Sequence, residues 1–385
     1  VVLACQHGAH ALALGNVQTA AEDNLVVVNS CAVTSEAVRQ TRQAIRKARK
    51  ANPDARLLVT GCAADIEREQ LAAMPEVDGL VANEAKLDPR SWNVPAIAPP
   101  VPALHTRAFV AVQNGCDHAC TFCVIPQGRG KSRSLGVAEV LREVESHLDA
   151  GAGEVVLTGV DVTSWGHDLP GSPKLGALVG SVLDAFPGLA RIRMSSIDGI
   201  EVDEELFEFF ASEPRVMPHI HLSLQHGDDL ILKRMKRRHL CADAVDLVSR
   251  LKARRPDLAV GADLIAGFPT ETDVHHAANL SIIRELAIVH GHIFPYSPRP
   301  GTPAARMPQV DRQTVKRRAA ELRAEVAKVR AEWLATLVDK PLSVLAEADG
   351  TGYSPEFARV GLPQGTPRGS IVTVTPKTLE DNLLS

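Results

Sequence analysis

From Arg107 to about Pro300 the chain alternates two patterns. Short apolar runs occur at Phe109–Val112, Glu154–Thr158, Ile192–Ser195, His219–Leu224, Ala259–Leu264 and Ala287–Phe294. Between them lie amphipathic stretches such as Ala138–Leu148, Asp243–Leu251 and His275–Leu286. The first pattern predicts strands and the second predicts helices. Their alternation predicts βαβ crossovers and a parallel sheet. Six units are too few for a closed eight-stranded barrel, so a partial (βα)6 barrel is expected. Its site should lie in the loops at the C-terminal strand ends.

The flanks read differently. Apolar runs at Val26–Val28 and Leu57–Val59 lead into Cys31 and Cys62, with a helix between them that opens at Thr34 or Ser35. Residues 1–90 are therefore expected to form a small α/β domain. Residues 91–106 carry Pro95, Pro99, Pro100 and Pro102, which no helix or central strand accommodates, so they form a linker. The barrel is expected over 107–310. Val315, Ala319, Leu322, Val326, Val329, Trp333 and Leu337 form one apolar stripe, which predicts a long helix within 311–338. Residues 339–385 alternate short β-type runs with Gly- and Pro-rich turns. This small β-barrel-like module is too small to be stable unless it docks on a neighbour. The fold class is thus α/β, in three parts.

The 385 residues are 45% hydrophobic, which places the chain among globular proteins. No apolar run approaches the ~20 residues of a membrane span, and no secretory leader is visible, so no membrane partner and a cytoplasmic location are expected. The net charge is −4, which gives no global hint of nucleic-acid binding. Seven cysteines in a reducing compartment ask for metal binding, catalysis or burial in place of disulfides.

Three of them form GCDHACTFC, with Cys116, Cys120 and Cys123 spaced C-x3-C-x2-C directly after the first barrel strand. Three thiolates in one loop hold three corners of a 4Fe–4S cluster and leave one iron open for chemistry. Zinc is the competing reading, but a structural site wants four ligands, and only His118 is near enough to help. Cys5, Cys31 and Cys62 form a second set, one per expected strand end. Burial is the alternative for Cys31 and Cys62. Cys241 stands alone and reads as structural.

The C-x3-C-x2-C loop, with Phe122 before its third cysteine, resembles the radical S-adenosylmethionine superfamily. The strings GCDHACTFCVIPQGRGKSRS, HIHLSLQHGDDLILKRMKRRH, ADLIAGFPTET and HIFPYSPRPGTPAA resemble the methylthiotransferases in order and spacing. The GRGKSRS and QHGDD stretches are most similar to members acting on N6-threonylcarbamoyladenosine in tRNA. The resemblance implies two 4Fe–4S clusters, with Cys116, Cys120 and Cys123 on the radical cluster and Cys5, Cys31 and Cys62 on an auxiliary one. It also implies S-adenosylmethionine as radical source and methyl donor, an electron donor such as a flavodoxin or ferredoxin, and a sulfur source. It implies that residues 339–385 resemble the family's RNA-binding module. The N-terminal stretch departs from the family pattern, with Ala4 before Cys5 and Gly8 three after it.

Further site residues follow from position. Phe122, Asp161, Ser195, Ser196 and Gln225 lie in the cluster loop or at strand ends and are expected to contact S-adenosylmethionine. Turns and helix caps are their alternative roles. Tyr296 is expected either to stack on a base or to pack. Basic clusters argue locally for RNA: Arg39–Lys50, Arg129, Lys131 and Arg133, Lys233–Arg238 (with Lys236 and Arg237 at its centre), and Arg317, Arg318 and Arg323. Tyr353 and Phe357 are expected to offer aromatic faces to RNA. Two alternatives remain. One keeps the enzyme class but acts on isopentenyladenosine in tRNA or on a ribosomal-protein aspartate. The other is a non-enzymatic iron–sulfur RNA-binding protein.

Overall fold

The computed structural model describes residues 2–3, 25–86, 89–92 and 106–385. The chain divides into two compact units. The first takes in residues up to 103 together with 114–132 and 297–306, and the second takes in 104–113, 133–296 and 307–385.

The first unit is built on a parallel sheet in the order Val2–Leu3, Leu25–Ser30, Arg56–Gly61, Gly79–Leu80. Helix Ser35–Ala51 is capped by the Thr34 hydroxyl, which accepts from the Ala37 N–H at 3.0 Å. It lays Val38, Ile45 and Ala48 on Val26, Val28, Leu57 and Val59. The register pairs Ser30 with Gly61, so Cys31 and Cys62 leave the C-terminal ends of adjacent strands. Gly61 has φ of +93°, and a Cβ there would lie 2.2 Å from the Ser30 carbonyl oxygen, so this crossing requires glycine.

The second unit carries the barrel. Six expected strands appear, all parallel and in sequential order. Arg107–Ala111, Glu154–Thr158 and Ile192–Met194 form one sheet; Ser196–Ile197, His219–Gln225, Ala259–Ala266 and Ile288–Pro295 form the next. The third expected strand is split around Ser195, and Ile192 also forms an isolated parallel bridge with Val216. Helices Val137–Asp149, Leu175–Ala185, Glu204–Ser212, Cys241–Arg254 and Asp273–Glu285 supply the outer side of one continuous apolar core.

Helix Arg312–Ala335 follows, with Ala319, Leu322, Val326 and Val329 in that same core. Gly291 faces this helix: a Cβ there would meet Val326 Cγ2 at 2.5 Å. Of the flanking histidines, His290 meets Arg330 of this helix at 3.2 Å, while His292 turns to Asp263 on the neighbouring strand.

The C-terminal sheet, in the order Ile371–Val374, Leu342–Ala346, Thr351–Tyr353, Arg359–Gly361, Leu383–Leu384, Leu379–Glu380, is docked on the barrel's lower end. Arg191 donates to the carbonyls of Tyr353 and Ser343 at 3.0 and 2.8 Å. Arg193 donates to Pro355 O at 3.0 Å and lies 4.8 Å over the Phe357 ring. The aromatic pair expected to face RNA is thus turned inward. Tyr353 and Phe357 stack on each other at 4.7 Å, with Arg107 over both rings. Their faces go to arginines because a module of this size needs an anchor.

Candidate iron–sulfur and substrate sites

In the first unit, the cysteine loop is framed by close backbone approaches. Gly115 and Gly130 both have positive φ, and Cys116 N–H donates to Gly130 O at 3.2 Å. Cys116 Sγ accepts from His118 N–H and Cys123 Sγ from Ile125 N–H, each at 3.4 Å. Backbone N–H groups aimed at cysteine sulfurs stabilise thiolates, as cluster ligation requires. Cys116, Cys120 and Cys123 are half-buried together in this one loop, so the donor set fits a 4Fe–4S cluster. Phe122 sits in the same loop, also half-buried. Thr121 O accepts from Ala304 N–H at 2.9 Å, tying the loop to segment 297–306.

Cys31 and Cys62 are buried on neighbouring strand ends; Cys5 lies outside the described residues. Arg129, expected to meet RNA, points elsewhere: its Nε donates to Cys62 Sγ at 2.9 Å. Lys86 is only 3% exposed, and burial together with the charge of Arg129 pushes its ammonium down to about 8. A site in which cations crowd buried thiols suits a thiolate-bound cluster.

In the second unit, the strand ends carry the other candidates. Asp161 N–H donates to Gln113 Oε1 at 2.9 Å, and its carboxylate accepts from the Ser164 hydroxyl at 2.7 Å. Ser195 is buried, while Ser196 donates to Asp263 Oδ2 at 3.3 Å. Gln225 ends its strand at φ +71°, in the left-handed region, beside a register shift. Strain of this kind in a non-glycine residue concentrates at functional sites. Glu271 fixes the turn after strand Ala259–Ala266. It accepts from the N–H groups of Gly267 and Phe268 at 2.8 and 3.1 Å and is met by His226 and Arg318.

Sequence reading missed a polar layer in the lumen. Asp263 Oδ1 lies 3.1 Å from His221 Nε2 and 3.2 Å from His292 Nδ1. Burial would raise the Asp263 carboxyl, but hydrogen bonds from both imidazoles hold it well below the usual range. The His292 side chain is 53% exposed, so the layer opens to solvent. Gly261 makes room for it: a Cβ there would lie 2.3 Å from His221 Nδ1. The signal was present as histidines two apart, His219 and His221, then His290 and His292, the strand period.

Several expected RNA contacts are occupied within the protein. Arg237 is buried and donates to Asp198 and to Ser223 O at 3.1 and 2.8 Å. Arg318 is buried against Glu271 and Asp273. Lys236 is a left-handed helix cap at φ +62°. Tyr296 packs edge-on to Phe268 at 5.5 Å, and burial pushes its hydroxyl up to about 12. Lys131 and Arg133, which flank buried Ser132, both remain exposed. Helix Ser35–Ala51 pairs Arg39, Arg42, Arg46 and Arg49 with Glu36, Glu67, Glu76 and Asp78. Cys241 is half-buried, and burial with Asp229 beside it pushes its thiol up to about 12, consistent with an inert structural group.

The radical SAM superfamily profile matches residues 110–280, and that of uncharacterized protein family UPF0004 matches residues 9–82. Threonylcarbamoyladenosine tRNA methylthiotransferase MtaB of Rickettsia prowazekii is 43% identical over 90% of this chain and 86% of its own length. This chain belongs to the radical S-adenosylmethionine methylthiotransferase family. The methylthiotransferase of this name from Bacillus subtilis is 33% identical over 84% of the chain and 76% of its own length. A tRNA-2-methylthio-N(6)-dimethylallyladenosine synthase of Cereibacter sphaeroides is 33% identical over 86% of the chain and 81% of its own. Among solved structures, the radical S-adenosylmethionine methyltransferase TsrM of Kitasatospora setae shares the fold at TM-score 0.51. It is 17% identical, with 73% of this chain and 66% of that chain covered. The methylthiotransferase is thus a radical enzyme whose cofactors are 4Fe–4S clusters and S-adenosylmethionine. Among the described residues, no helix is long and apolar enough to cross a membrane.

Proposed function

We propose that this methylthiotransferase converts the C2–H of N6-threonylcarbamoyladenosine at position 37 of tRNA to C2–SCH3. The observation that carries the reading is the 43% identity, over nine-tenths of the chain, to a relative named for that substrate. The lumen layer supports it. Ser196, His221, Asp263 and His292 offer donors and acceptors to a substituent bearing a carboxylate, a hydroxyl and a urea. A dimethylallyl group offers those polar side chains no hydrogen-bonding partner.

Cys116, Cys120 and Cys123 would hold the radical cluster; Cys31 and Cys62, with Cys5, would hold the auxiliary one. The cofactors supply the radical, the methyl group and the sulfur. The chain's own residues position and enclose. Glu271 fixes the Gly267–Phe268 turn at a strand end, and Gln225 and Asp161 hold neighbouring turns. An aromatic C–H is not acidic enough for general-base chemistry, so no Ser-His-Asp arrangement is needed. A reductant such as a flavodoxin or ferredoxin and a sulfur source are the expected partners besides tRNA.

The test compares modified nucleosides of tRNA from cells with and without the gene. Loss of methylthio-threonylcarbamoyladenosine alone is expected. Loss of the methylthio-dimethylallyl nucleoside instead would assign the chain to the other substrate.

A further inference from the structure

Arg129 closes the short helix Ile125–Arg129, which begins two residues after Cys123. Its guanidinium spans two places. Nε donates to Cys62 Sγ at 2.9 Å, and Nη1 donates to Asn114 Oδ1 at 3.2 Å. Asn114 stands two residues before Cys116, so one side chain ties the buried cysteine to the start of the C-x3-C-x2-C loop.

The backbone holds it there. Gly128 packs directly on Cys62: a Cβ would lie 3.1 Å from Cys62 Cβ and 3.0 Å from Ile66 Cδ1. The Gly128 carbonyl accepts from Asn83 Nδ2 at 3.0 Å. Gly130, at φ +74°, ends the helix immediately afterwards, and its amide donates back to Pro126 O at 3.0 Å. The planar fork of arginine is half-buried and meets a sulfur and an amide oxygen, with Lys86 as a second cation near the same sulfur. Such a side chain has little left to offer an RNA phosphate.

We propose that Arg129 is the positioning residue of the auxiliary cluster, orienting the Cys62 thiolate and raising the cluster's reduction potential. The physical basis is general. Reduction adds negative charge to a thiolate-ligated cluster, and N–H···S bonds and nearby cations stabilise the reduced form. The inference rests on the reading of Cys31 and Cys62 as ligands. It assigns Arg129 to the sulfur-carrying centre instead of to RNA.

The test uses the full-length chain with Cys116, Cys120 and Cys123 all changed to Ala, which leaves the auxiliary cluster alone. This chain is reconstituted anaerobically with Arg129, with Arg129→Lys and with Arg129→Gln. Iron content and the midpoint potential, followed by electron paramagnetic resonance, are read for each. Arg129→Gln is expected to retain iron with a more negative potential. Arg129→Lys, which keeps the charge but loses the fork, is expected to fall between. If the Gln variant does not assemble, the Lys variant carries the comparison. Unchanged potential with iron retained would overturn the role of Arg129 alone. No iron in the chain carrying Arg129 would overturn the Cys31 and Cys62 assignment itself. A fall in tRNA affinity and in its salt slope in the Lys and Gln variants, at unchanged potential, would return Arg129 to phosphate binding.

Discussion

Replacing Glu154 with Gln should destabilise the second unit severely. Glu154 and Arg193 are almost completely buried, their side chains 1% and 4% exposed. Arg193 Nε donates to Glu154 Oε1 at 2.9 Å and Nη2 to Oε2 at 3.4 Å. The same guanidinium holds Pro355 O and covers Phe357, and Arg107 and Arg191 add charge nearby. Burial would raise the Glu154 carboxyl, but Arg193 first, then Arg107 and Arg191, hold it below the ordinary value of 4.5. The substitution thus leaves positive charge buried without its counter-charge. Breaking a buried pair by removing one partner costs about 3–5 kcal/mol. At roughly 2–4 °C per kcal/mol for a unit of this size, the melting temperature should fall by about 6–20 °C. The pH sign follows from the depressed carboxyl. Its stabilisation is present above the unfolded value and is lost as pH falls through the lower folded value. The assay is thermal unfolding of the anaerobically purified protein at pH 7 and at successively lower pH. As a control, the double change Glu154→Leu with Arg193→Met should cost less than Glu154→Gln alone, because no charge is then buried unpaired. A Glu154→Gln shift below about 2 °C, under roughly 1 kcal/mol, would refute the reasoning.

Other outcomes follow from the sites. Cys120→Ala should end 5′-deoxyadenosine production and remove about four irons; Cys31→Ala should preserve 5′-deoxyadenosine and end methylthiolation. Gly261→Ala should push the His221 ring off Asp263 at a cost of about 1–3 kcal/mol, read by chemical denaturation. His292→Phe should raise KM for threonylcarbamoyladenosine tRNA more than it lowers the rate of 5′-deoxyadenosine release. Cys241→Ala should shift the melting temperature by no more than about 2–3 °C, since its thiol is half-buried and contacts His226 O only at 3.9 Å.

The strands and the cysteine loop were legible because their signals are local. Apolar runs such as Glu154–Thr158 and three cysteines in eight positions need no partner to be read. The arginines were misread for the opposite reason. In sequence, Arg129, Arg237 and Arg318 look like solvated charge; their partners Cys62, Asp198 and Glu271 lie 67, 39 and 47 residues away. Tyr353 and Phe357 were misassigned because an aromatic in a small β module reads the same whether it anchors or recognises. The lumen layer was written in the period-two histidines, but only the strand register brings Asp263 between them.

The most direct measurement presents the anaerobically reconstituted enzyme with S-adenosylmethionine, a reductant, and an equal mixture of threonylcarbamoyladenosine and dimethylallyladenosine tRNAs. The nucleosides are then resolved by mass spectrometry. Methylthiolation confined to threonylcarbamoyladenosine is the predicted result. Methylthiolation of the dimethylallyl nucleoside, or 5′-deoxyadenosine release with neither product, would contradict it.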